Sequence, residues 1–231
     1  MALDAAEVVI IADLVRNGPQ PAKILSLGHP DILATPEDIQ SLFDGRLLPI
    51  DNERVRRERI GKSSERCIGS AFILFEALDA SLTALDRRDL YGVEENVDLN
   101  YPIAERHRSA YSLVIDPGTT EHILNIGQAL TTVVQSMRVG GYAYHQSPMV
   151  MLNHGYWNYS PAAYHDFYTA NGCEIVRLEG RRKGMWFPVP ATERFRAEGE
   201  GGRLLIMCVA RKVREVEKIT FPMQVKYQGG L

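Results

Sequence analysis

Histidine is the residue type in this chain whose chemistry is easiest to predict. Four histidines lie close together in sequence: His122, His145, His154 and His165. A neutral imidazole takes up a proton near pH 7, so it can act as a general base, and it also binds metal ions. His122 and His154 are the candidate catalytic residues, because one opens a predicted helix and the other lies in a turn after a predicted strand. His165 falls within a predicted helix and is interpreted as structural.

Other side chains in the same stretch could contact a substrate or a metal ion. His145 lies in the predicted strand that precedes His154, while Tyr156 and Trp157 could stack on a flat or sugar-like ligand. A metal site is the alternative use of this region, with four candidate ligands: Asp116, Glu121, His122 and His154. Because their spacing matches no specific ligand pattern, the sequence favours a site without a metal.

Three predicted strands end in an aspartate: Asp86, Asp98 and Asp116. In a doubly wound sheet, an acid after the second strand can accept hydrogen bonds from both hydroxyls of a ribose. An acid after the third strand can accept one from the exocyclic amine of adenine, since a carboxylate is only an acceptor. The combination predicts a cofactor that contains adenosine, although aspartate is also a common turn former at strand ends.

The elements that must position these residues form one crossover unit. An apolar run over 111–115 ends at Asp116, a helix is predicted over 119–137, and a second strand over 142–147 follows Gly140 and Gly141. A strand, a helix and a strand in this order are typical of parallel pairing. Ligands bind at the carboxyl ends of such strands. Residues 116–122 and 145–159 are therefore expected to face one crevice.

The remaining pattern predicts an α/β fold with a doubly wound, mostly parallel sheet and a late antiparallel hairpin. Helices are expected over 5–16, from Thr35, over 64–77 and over 161–170, and strands over 22–28, 82–86, 96–98, 173–178 and 202–212. The charged segment 44–62 is either a solvated helix or loop or a lid over the crevice. The segment 180–201 is either a surface excursion or a substrate-facing loop.

Composition narrows the class of protein. The chain has 231 residues, 45% of them hydrophobic and 24% charged, which suits a single domain over 1–231. Its formal charge of −3 gives no reason to expect nucleic acid as a partner. No apolar run approaches the length of a membrane span, and no secretory signal is recognised. Three widely spaced cysteines without a CxxC motif favour reduced thiols in the cytoplasm.

Two motifs carry a resemblance to a known family: LVIDPGTTEHILN at 113–125 and NHGYWNYSP at 153–161. With Gly140 and Gly141 between them, they resemble class I S-adenosylmethionine-dependent methyltransferases of Rossmann-like fold. The most similar branch is the bacterial methyltransferase-domain proteins of surface-glycan or secondary-metabolite gene clusters. The resemblance reaches upstream to 24–28 and 85–100 and downstream to 221–227, and it is thin over 44–81 and 180–201.

The resemblance implies roles for individual positions. Gly28 would approach the methionine part of S-adenosylmethionine, Asp86 would hold its ribose, and Asp98 with Leu99 would hold its adenine. Asp116 and Gly118 would line the cofactor near its sulfonium. The residues implied on the acceptor side are Glu121, His122, Asn153, His154 and Tyr156.

The first turn departs from the family pattern. Most class I methyltransferases have a glycine-rich turn after the first strand, whereas here Gly28 is followed by the bulky His29 and by Pro30, which lacks an N–H. Gly28 and Asp86 are also 58 positions apart (86 − 28), where about 20 is usual for a dinucleotide-type half. This departure has two interpretations. Cofactor binding is altered, weak or lost in this chain, or the degenerate first turn is normal for the branch that the chain resembles.

The expected function is methyl transfer from S-adenosylmethionine to an oxygen or nitrogen of a small-molecule or glycan-linked acceptor, as part of biosynthesis. Two alternatives keep the fold and drop the methyl transfer. One is another histidine- or metal-assisted reaction in the same crevice, and the other is a non-catalytic binding role. No membrane partner is expected, and a homo-oligomer is compatible with the sequence.

Overall fold

A computed structural model describes residues 2–34, 71–88, 92–191 and 203–227. The described helices are α1 (Ala5–Asn17), α2 (Ala71–Glu76), α3 (Ile126–Ser136) and α4 (Pro161–Ala170). The described strands are β1 (Ala2–Asp4), β2 (Ala22–Leu27), β3 (Asp31–Leu33), β4 (Ala80–Asp86), β5 (Glu95–Asn96), β6 (Tyr111–Asp116), β7 (Met137–Val150), β8 (Cys173–Arg182), β9 (Met185–Pro188) and β10 (Leu204–Lys212). The predicted helix from Thr35 and the charged segment 44–62 lie outside the described residues.

Eight of the described strands form one sheet in the order β5-β4-β2-β6-β7-β10-β8-β9, and β1 pairs with β3 in a separate parallel pair. Within this order, the five strands from β5 to β7 run parallel to one another. β10 lies between β7 and β8 and runs antiparallel to both, and β9 is antiparallel to β8. The predicted pairing of the late strand with 173–178 is confirmed.

Two hydrophobic clusters cover the two faces of this sheet. Alternate side chains of β10 belong to opposite clusters: Met207 and Val209 to one, and Ile206 and Cys208 to the other. The first cluster contains apolar side chains of α1 and α2, and the second contains those of α3 and α4. Helices on both faces of a mostly parallel sheet confirm the doubly wound α/β fold that the sequence predicts. None of the described helices is long and apolar enough to cross a membrane.

The predicted helix over 119–137 is wrong at its amino-terminal end. Residues Thr120–His122 form a 3₁₀ turn instead, and α3 begins at Ile126. The Asn125 side chain accepts a hydrogen bond from the amide of Gln128, so it caps α3 and separates it from the turn. Strand β7 is also longer than predicted, and Gly140 and Gly141 lie within it rather than in a turn.

A close contact between strands explains the glycine within β7. A Cβ on Gly141 would lie 3.0 Å from the Ser112 carbonyl oxygen and 2.9 Å from that of Arg138. The register of β6 and β7 shifts at this point, between Tyr111 and Leu113. The glycine therefore permits an irregularity inside a strand, which a sequence pattern reads as a turn.

Part of the expected loop over 180–201 is a β-hairpin. β8 continues to Arg182 and pairs with β9 through a two-residue turn at Lys183 and Gly184. Both turn residues have positive φ, 49° and 82°, as the favoured two-residue hairpin turns require. The rest of the segment, from 192, lies outside the described residues up to 202.

The amino-terminal end of α1 carries a buried acid. Asp4 and Glu7 form a capping box, in which each side chain accepts a hydrogen bond from the other residue's amide. Glu7 is 1% exposed and also accepts a hydrogen bond from the Tyr144 hydroxyl. Burial raises the pKa of Glu7 to about 7. The hydrogen bond from the Asp4 amide and the charge of Arg181 lower this pKa, but burial has the larger effect.

Replacing Glu7 with glutamine should remove a pH dependence of stability. Below about pH 4.5, the unfolded value, the carboxyl is protonated in both states, and between 4.5 and about 7 it ionises only in the unfolded chain. The free energy of unfolding therefore falls as the pH rises through this window, by at most about 3 kcal/mol in total. Urea unfolding of wild type and Glu7→Gln at about pH 5 and about pH 8 measures the difference.

The variant should gain stability relative to wild type as the pH rises. Glu174→Gln is the control, because Glu174 lies on β8 with its side chain 54% exposed. Parallel pH profiles for wild type and Glu7→Gln would contradict the assignment.

Candidate active-site crevice

Asp116 ends β6 and organises the turn that follows it. Its Oδ1 accepts hydrogen bonds from the amides of Thr119 and Thr120, at 2.8 and 3.1 Å, and its Oδ2 accepts one from the Thr120 hydroxyl at 2.5 Å. Burial raises the pKa of Asp116, but the hydrogen bonds from His145 and Thr120 and the charge of His145 outweigh it, so the pKa lies below its usual value. The carboxylate is fully buried and faces its own turn.

His145 lies in the core directly beside Asp116. Its Nδ1 is 2.8 Å from Asp116 Oδ2, its Nε2 is bonded to the Tyr168 hydroxyl, and its side chain is fully buried. Since a carboxylate only accepts, Nδ1 carries a proton and donates it to Asp116, while Nε2 is paired with the Tyr168 hydroxyl. Both ring nitrogens are therefore used within the protein. The structure places His145 in the interior, and its contact with a substrate remains a prediction.

The turn after β7 is docked on the turn after β6. The Glu121 carbonyl accepts hydrogen bonds from the amides of Tyr156 and Trp157, at 2.8 and 3.2 Å. A Cβ on Gly155 would lie 2.7 Å from that carbonyl oxygen, so only glycine permits this approach. The Trp157 indole Nε1 donates to the Ile123 carbonyl at 2.9 Å. The two turns thus form one wall, as the crossover unit predicts.

Docking brings Glu121, His122 and His154 together. The rings of His122 and His154 are 5.2 Å apart, and His154 Nε2 lies 3.7 Å from Glu121 Oε1. Burial and then the negative charge of Asp116 raise the pKa of Glu121 to about 8. Burial and then the charge of His154 lower the pKa of His122. Near pH 7 these shifts favour the neutral forms of Glu121 and His122, which suits proton transfer.

The cluster lines a cavity of the described residues, the larger cavity, whose volume of about 760 Å³ suits a small molecule. Its other walls come from Asp4 and Glu7 at the start of α1 and from the β8–β9 turn, 181–184, together with Arg203. Arg181 is held by Asp4 at 2.5 Å and stacks on Trp186 at 4.7 Å. The lining therefore combines Arg181, Arg182, Lys183 and Arg203 with the acids Asp4 and Glu7.

A smaller cavity of about 570 Å³ adjoins the first, because His122 lines both. Asp98 lines it, and its Oδ1 accepts hydrogen bonds from the amide and side chain of Asn100 at 3.0 and 2.8 Å. These two bonds lower the pKa of Asp98. Tyr156, which is 67% exposed, forms another part of its lining, while Leu99 is buried in the core.

The turn after β2 brings Gly28 and Asp86 together despite their separation in sequence. Gly28 has a φ of 84°, and its amide donates to the Leu85 carbonyl at 2.6 Å. Asp86 accepts hydrogen bonds from the amides of His29 and Arg88, at 3.1 and 3.0 Å. The parallel register of β2 and β4, in which Leu27 faces Leu85, accounts for the juxtaposition.

A buried histidine occupies this turn. His29 is 6% exposed, and its Nδ1 lies 2.8 Å from Oε1 of Glu94, whose side chain is buried. The His29 ring also packs against Phe72 at 5.9 Å. The Thr119 hydroxyl donates to the Leu27 carbonyl, which connects this turn to the one after β6.

The structure sorts the residues that the sequence singles out into three groups. Those that line the cavities are Asp98, Gly118, Glu121, His122, His154 and Tyr156. Gly28 and Asp86 meet at the neighbouring turn, and Asn153 and Trp157 shape the turn that carries His154. Those that face the interior are Leu99, Asp116 and His145. The binding roles of all these residues remain predictions.

Several lining residues have no signal in the sequence pattern. Glu7, Gln146, Arg181 and Arg203 reach the larger cavity from elements far apart in the chain. Glu7 reads as an ordinary residue of an amphipathic helix, and Gln146 as one position of a strand. Arg181 falls in the segment 180–201, which the sequence predicts to be either a surface excursion or a substrate-facing loop. Its place in the cavity lining agrees with the second alternative.

Comparison with known proteins identifies the fold. A scan against models of protein families finds no match, and a search of curated proteins finds none either. Solved structures do match. TehB from Haemophilus influenzae superimposes with a TM-score of 0.51 at 14% identity, covering 90% of this chain and 62% of that one.

Two further structures match at the same level. A candidate sarcosine dimethylglycine methyltransferase from Galdieria sulphuraria gives a TM-score of 0.52 at 11% identity, covering 92% of this chain and 85% of that one. The CurJ carbon methyltransferase gives 0.50 at 10% identity, covering 91% of this chain and 54% of that one. The chain thus spans just over half the length of some of its neighbours. The expected class I methyltransferase-like fold is confirmed.

The buried hydrogen bond between Tyr168 and His145 should contribute measurably to stability. Tyr168→Phe removes the hydroxyl and leaves Nε2 of a fully buried imidazole without its partner, so we expect a loss of about 1–3 kcal/mol in the free energy of unfolding. Urea denaturation measures it. Tyr101→Phe is the matched control, because Tyr101 is 67% exposed. A Tyr168→Phe protein within about 0.5 kcal/mol of wild type would contradict the predicted contribution.

Proposed function

We propose that the protein transfers a methyl group from S-adenosylmethionine to an oxygen or nitrogen of a small-molecule or glycan-linked acceptor. The observation that carries the proposal is the meeting of Gly28 and Asp86 at the carboxyl ends of β2 and β4. In a doubly wound sheet this edge is where a nucleotide-containing ligand binds. The methyltransferase-like fold supports the same reading.

The residues present fit the polar part of such a cofactor. Each oxygen of the Asp86 carboxylate accepts one backbone hydrogen bond, which leaves lone pairs for the two hydroxyls of a ribose. Gly28 offers a backbone without a side chain at a positive φ, where the chain must come close to a ligand. The ribose would therefore lie against Asp86, beside Gly28.

Asp98 and the smaller cavity suit the adenine. The carboxylate of Asp98 lines this cavity, and Asn100 bonds only to its Oδ1. Its Oδ2 lies 3.8 Å from Nε of the exposed Arg87, which is beyond hydrogen-bonding distance. It can therefore accept a hydrogen bond from the exocyclic amine. Tyr156 adds an exposed aromatic ring to the same lining. The side chain of Leu99 is buried in the core, so Leu99 would help to hold the adenine only by fixing the backbone next to Asp98.

The larger cavity suits the acceptor. S-adenosylmethionine, when bound, supplies a methyl group activated by a sulfonium. The task of the chain is to hold the acceptor in line with that methyl at near-attack distance. His122 and His154 could take the acceptor's proton, since both line the cavity.

The charge of the larger cavity favours an acceptor with an anionic group. Arg181, Arg182, Lys183 and Arg203 lie in its lining. The same lining contains Asp4, which is paired with Arg181, and two acids whose pKa values are raised, Glu7 to about 7 and Glu121 to about 8. Near pH 7 the Glu7 carboxyl is therefore about half protonated and the Glu121 carboxyl is mostly protonated. The positive side chains therefore outweigh the negative ones. A phosphate or carboxylate on the acceptor would meet this surface.

A second candidate keeps the fold without methyl transfer. The buried contact of His29 with Glu94 fills part of the turn that is glycine-rich in most proteins of this fold. If the contact excludes the cofactor, the crevice would serve another histidine-assisted reaction or a binding role. We propose a cytoplasmic, biosynthetic protein under either candidate. The free, buried Cys173 and Cys208 agree with the reducing compartment that this location implies.

Calorimetric titration with S-adenosylmethionine and S-adenosylhomocysteine tests the proposal. We expect both to bind, and Asp86→Asn to weaken both at least about tenfold, because hydrogen bonds to a charged group contribute about 1.5–3 kcal/mol. Asp13→Asn, at an exposed position of α1, is the control and should bind as wild type does. Circular dichroism establishes that each variant is folded.

The two outcomes lead in different directions. Absence of binding by wild type up to millimolar cofactor rejects the proposal and favours the second candidate. Binding that is unchanged in Asp86→Asn keeps the cofactor and removes Asp86 from its site.

A further inference from the structure

We propose that Glu121, His122 and His154 bind one divalent transition-metal ion at the wall of the larger cavity. One carboxylate oxygen and one imidazole nitrogen from each histidine lie within 4.8 Å of one another. Two imidazoles and a carboxylate are a ligand set that zinc uses in catalytic sites, and that iron and related metals also accept. The inference goes beyond methyl transfer, because it requires neither the cofactor nor an acceptor.

The distances are close to those of a formed site. Ligand atoms around a tetrahedral zinc ion are about 3.4 Å apart, given bonds of about 2.0–2.2 Å. His154 Nε2 and Glu121 Oε1 are already 3.7 Å apart. The widest pair of ligand atoms, at up to 4.8 Å, must close by up to about 1.4 Å. The His154 side chain is 43% exposed, so a small rotation of its ring toward the cavity meets little resistance.

The carboxylate of Glu121 provides the second, independent observation. Glu121 is 1% exposed, and its Oε2 accepts no hydrogen bond from the described residues. A buried polar atom without a partner is costly, at about 1–3 kcal/mol or more when the group is charged. The ionised form of Glu121, which a metal ion would bind, is repelled by the negative charge of Asp116. A bound cation would satisfy the oxygen and offset the repulsion.

The scaffold fixes the spacing of the three ligands. Glu121 and His122 are adjacent in one 3₁₀ turn, and His154 comes from the turn that the Glu121 carbonyl anchors through Tyr156 and Trp157. Gly155, next to His154, permits that anchoring. The ligands therefore approach from one wall only. The side toward the cavity stays open for water or a substrate atom, as in catalytic rather than structural zinc sites.

The softness of the ligands determines the class of metal. Mg²⁺ and Ca²⁺ prefer shells made entirely of oxygen, whereas imidazole nitrogen suits zinc, cobalt, iron and nickel. With a metal bound, the imidazole lone pairs are committed and His122 and His154 no longer act as bases. The cation would then lower the pKa of an acceptor hydroxyl in their place.

Cobalt and zinc are suitable probes. The full-length protein, freed of metal by a chelator and dialysis, is titrated with Co²⁺ in the absence of S-adenosylmethionine, and the visible absorption of the bound ion is recorded. Zn²⁺ is then added as a competitor, and calorimetry gives its stoichiometry and affinity. We expect one equivalent to bind, with a cobalt spectrum of low coordination number that Zn²⁺ abolishes.

Variants assign the ligands. His122→Ala, His154→Ala and Glu121→Gln should each weaken binding at least about tenfold, since even outer partners of metal ligands change affinity by about 10–100-fold. His165→Ala is the matched control. His165 is also a histidine within hydrogen-bonding distance of a carboxylate, Asp166 at 2.8 Å, but it lies on α4 outside the cluster.

The exposed histidines keep the test decisive if Glu121→Gln folds poorly, because their truncation leaves no buried gap. Binding of one equivalent that is lost in His122→Ala and His154→Ala and kept in His165→Ala supports the site. Wild type that binds no metal below millimolar overturns it. So does equal affinity in wild type and in both histidine variants, or an equal loss in His165→Ala.

Discussion

The contact between Asp116 and His145 is the constraint on which the rest of the crevice depends. The two residues face each other in the register of β6 and β7, and both side chains are fully buried. Removing one partner of such a buried pair typically costs about 3–5 kcal/mol, because the other charge or polar group is left unpaired. Asp116 shapes the turn that carries Glu121 and His122, and His145 reaches Tyr168 on α4. A single pair therefore couples two strands, a turn and a helix.

Much of the fold can be predicted from the sequence, because its signals are local. The strands of the central unit are continuous apolar runs, and the aspartates that end them mark the edge where the crevice opens. The start of α3 could not be predicted, since the Thr120–His122 turn owes its shape to hydrogen bonds with the buried Asp116. The sequence does not predict strand β9 either, for a similar reason. Its four residues become a strand only by pairing with β8, and a short hairpin carries little periodicity of its own.

The candidate site divides in the same way. Sequence spacing places His122 and His154 in one crevice, and the structure brings their rings to 5.2 Å. The sequence does not reveal that His145, equally polar, points into the core. Residues 143–148 of β7 are buried on both faces of the sheet, and the packing of the helices decides which of these side chains reach the crevice. Arg181 is a second case. Its position beside Asp4 joins residues 177 positions apart, and only the completed sheet defines that contact.

The place of β10 between β7 and β8 has a consequence for the order in which the molecule is assembled during synthesis. β7 and β8 leave the ribosome first, yet they are not neighbours in the sheet. Until residues 204–212 emerge, each exposes an edge of unpaired amides and carbonyls, a surface that pairs readily with other chains. The far side of the sheet, with the arginine-bearing wall of the crevice, is thus completed late in translation. The nascent chain must keep two strand edges apart until the strand that joins them arrives.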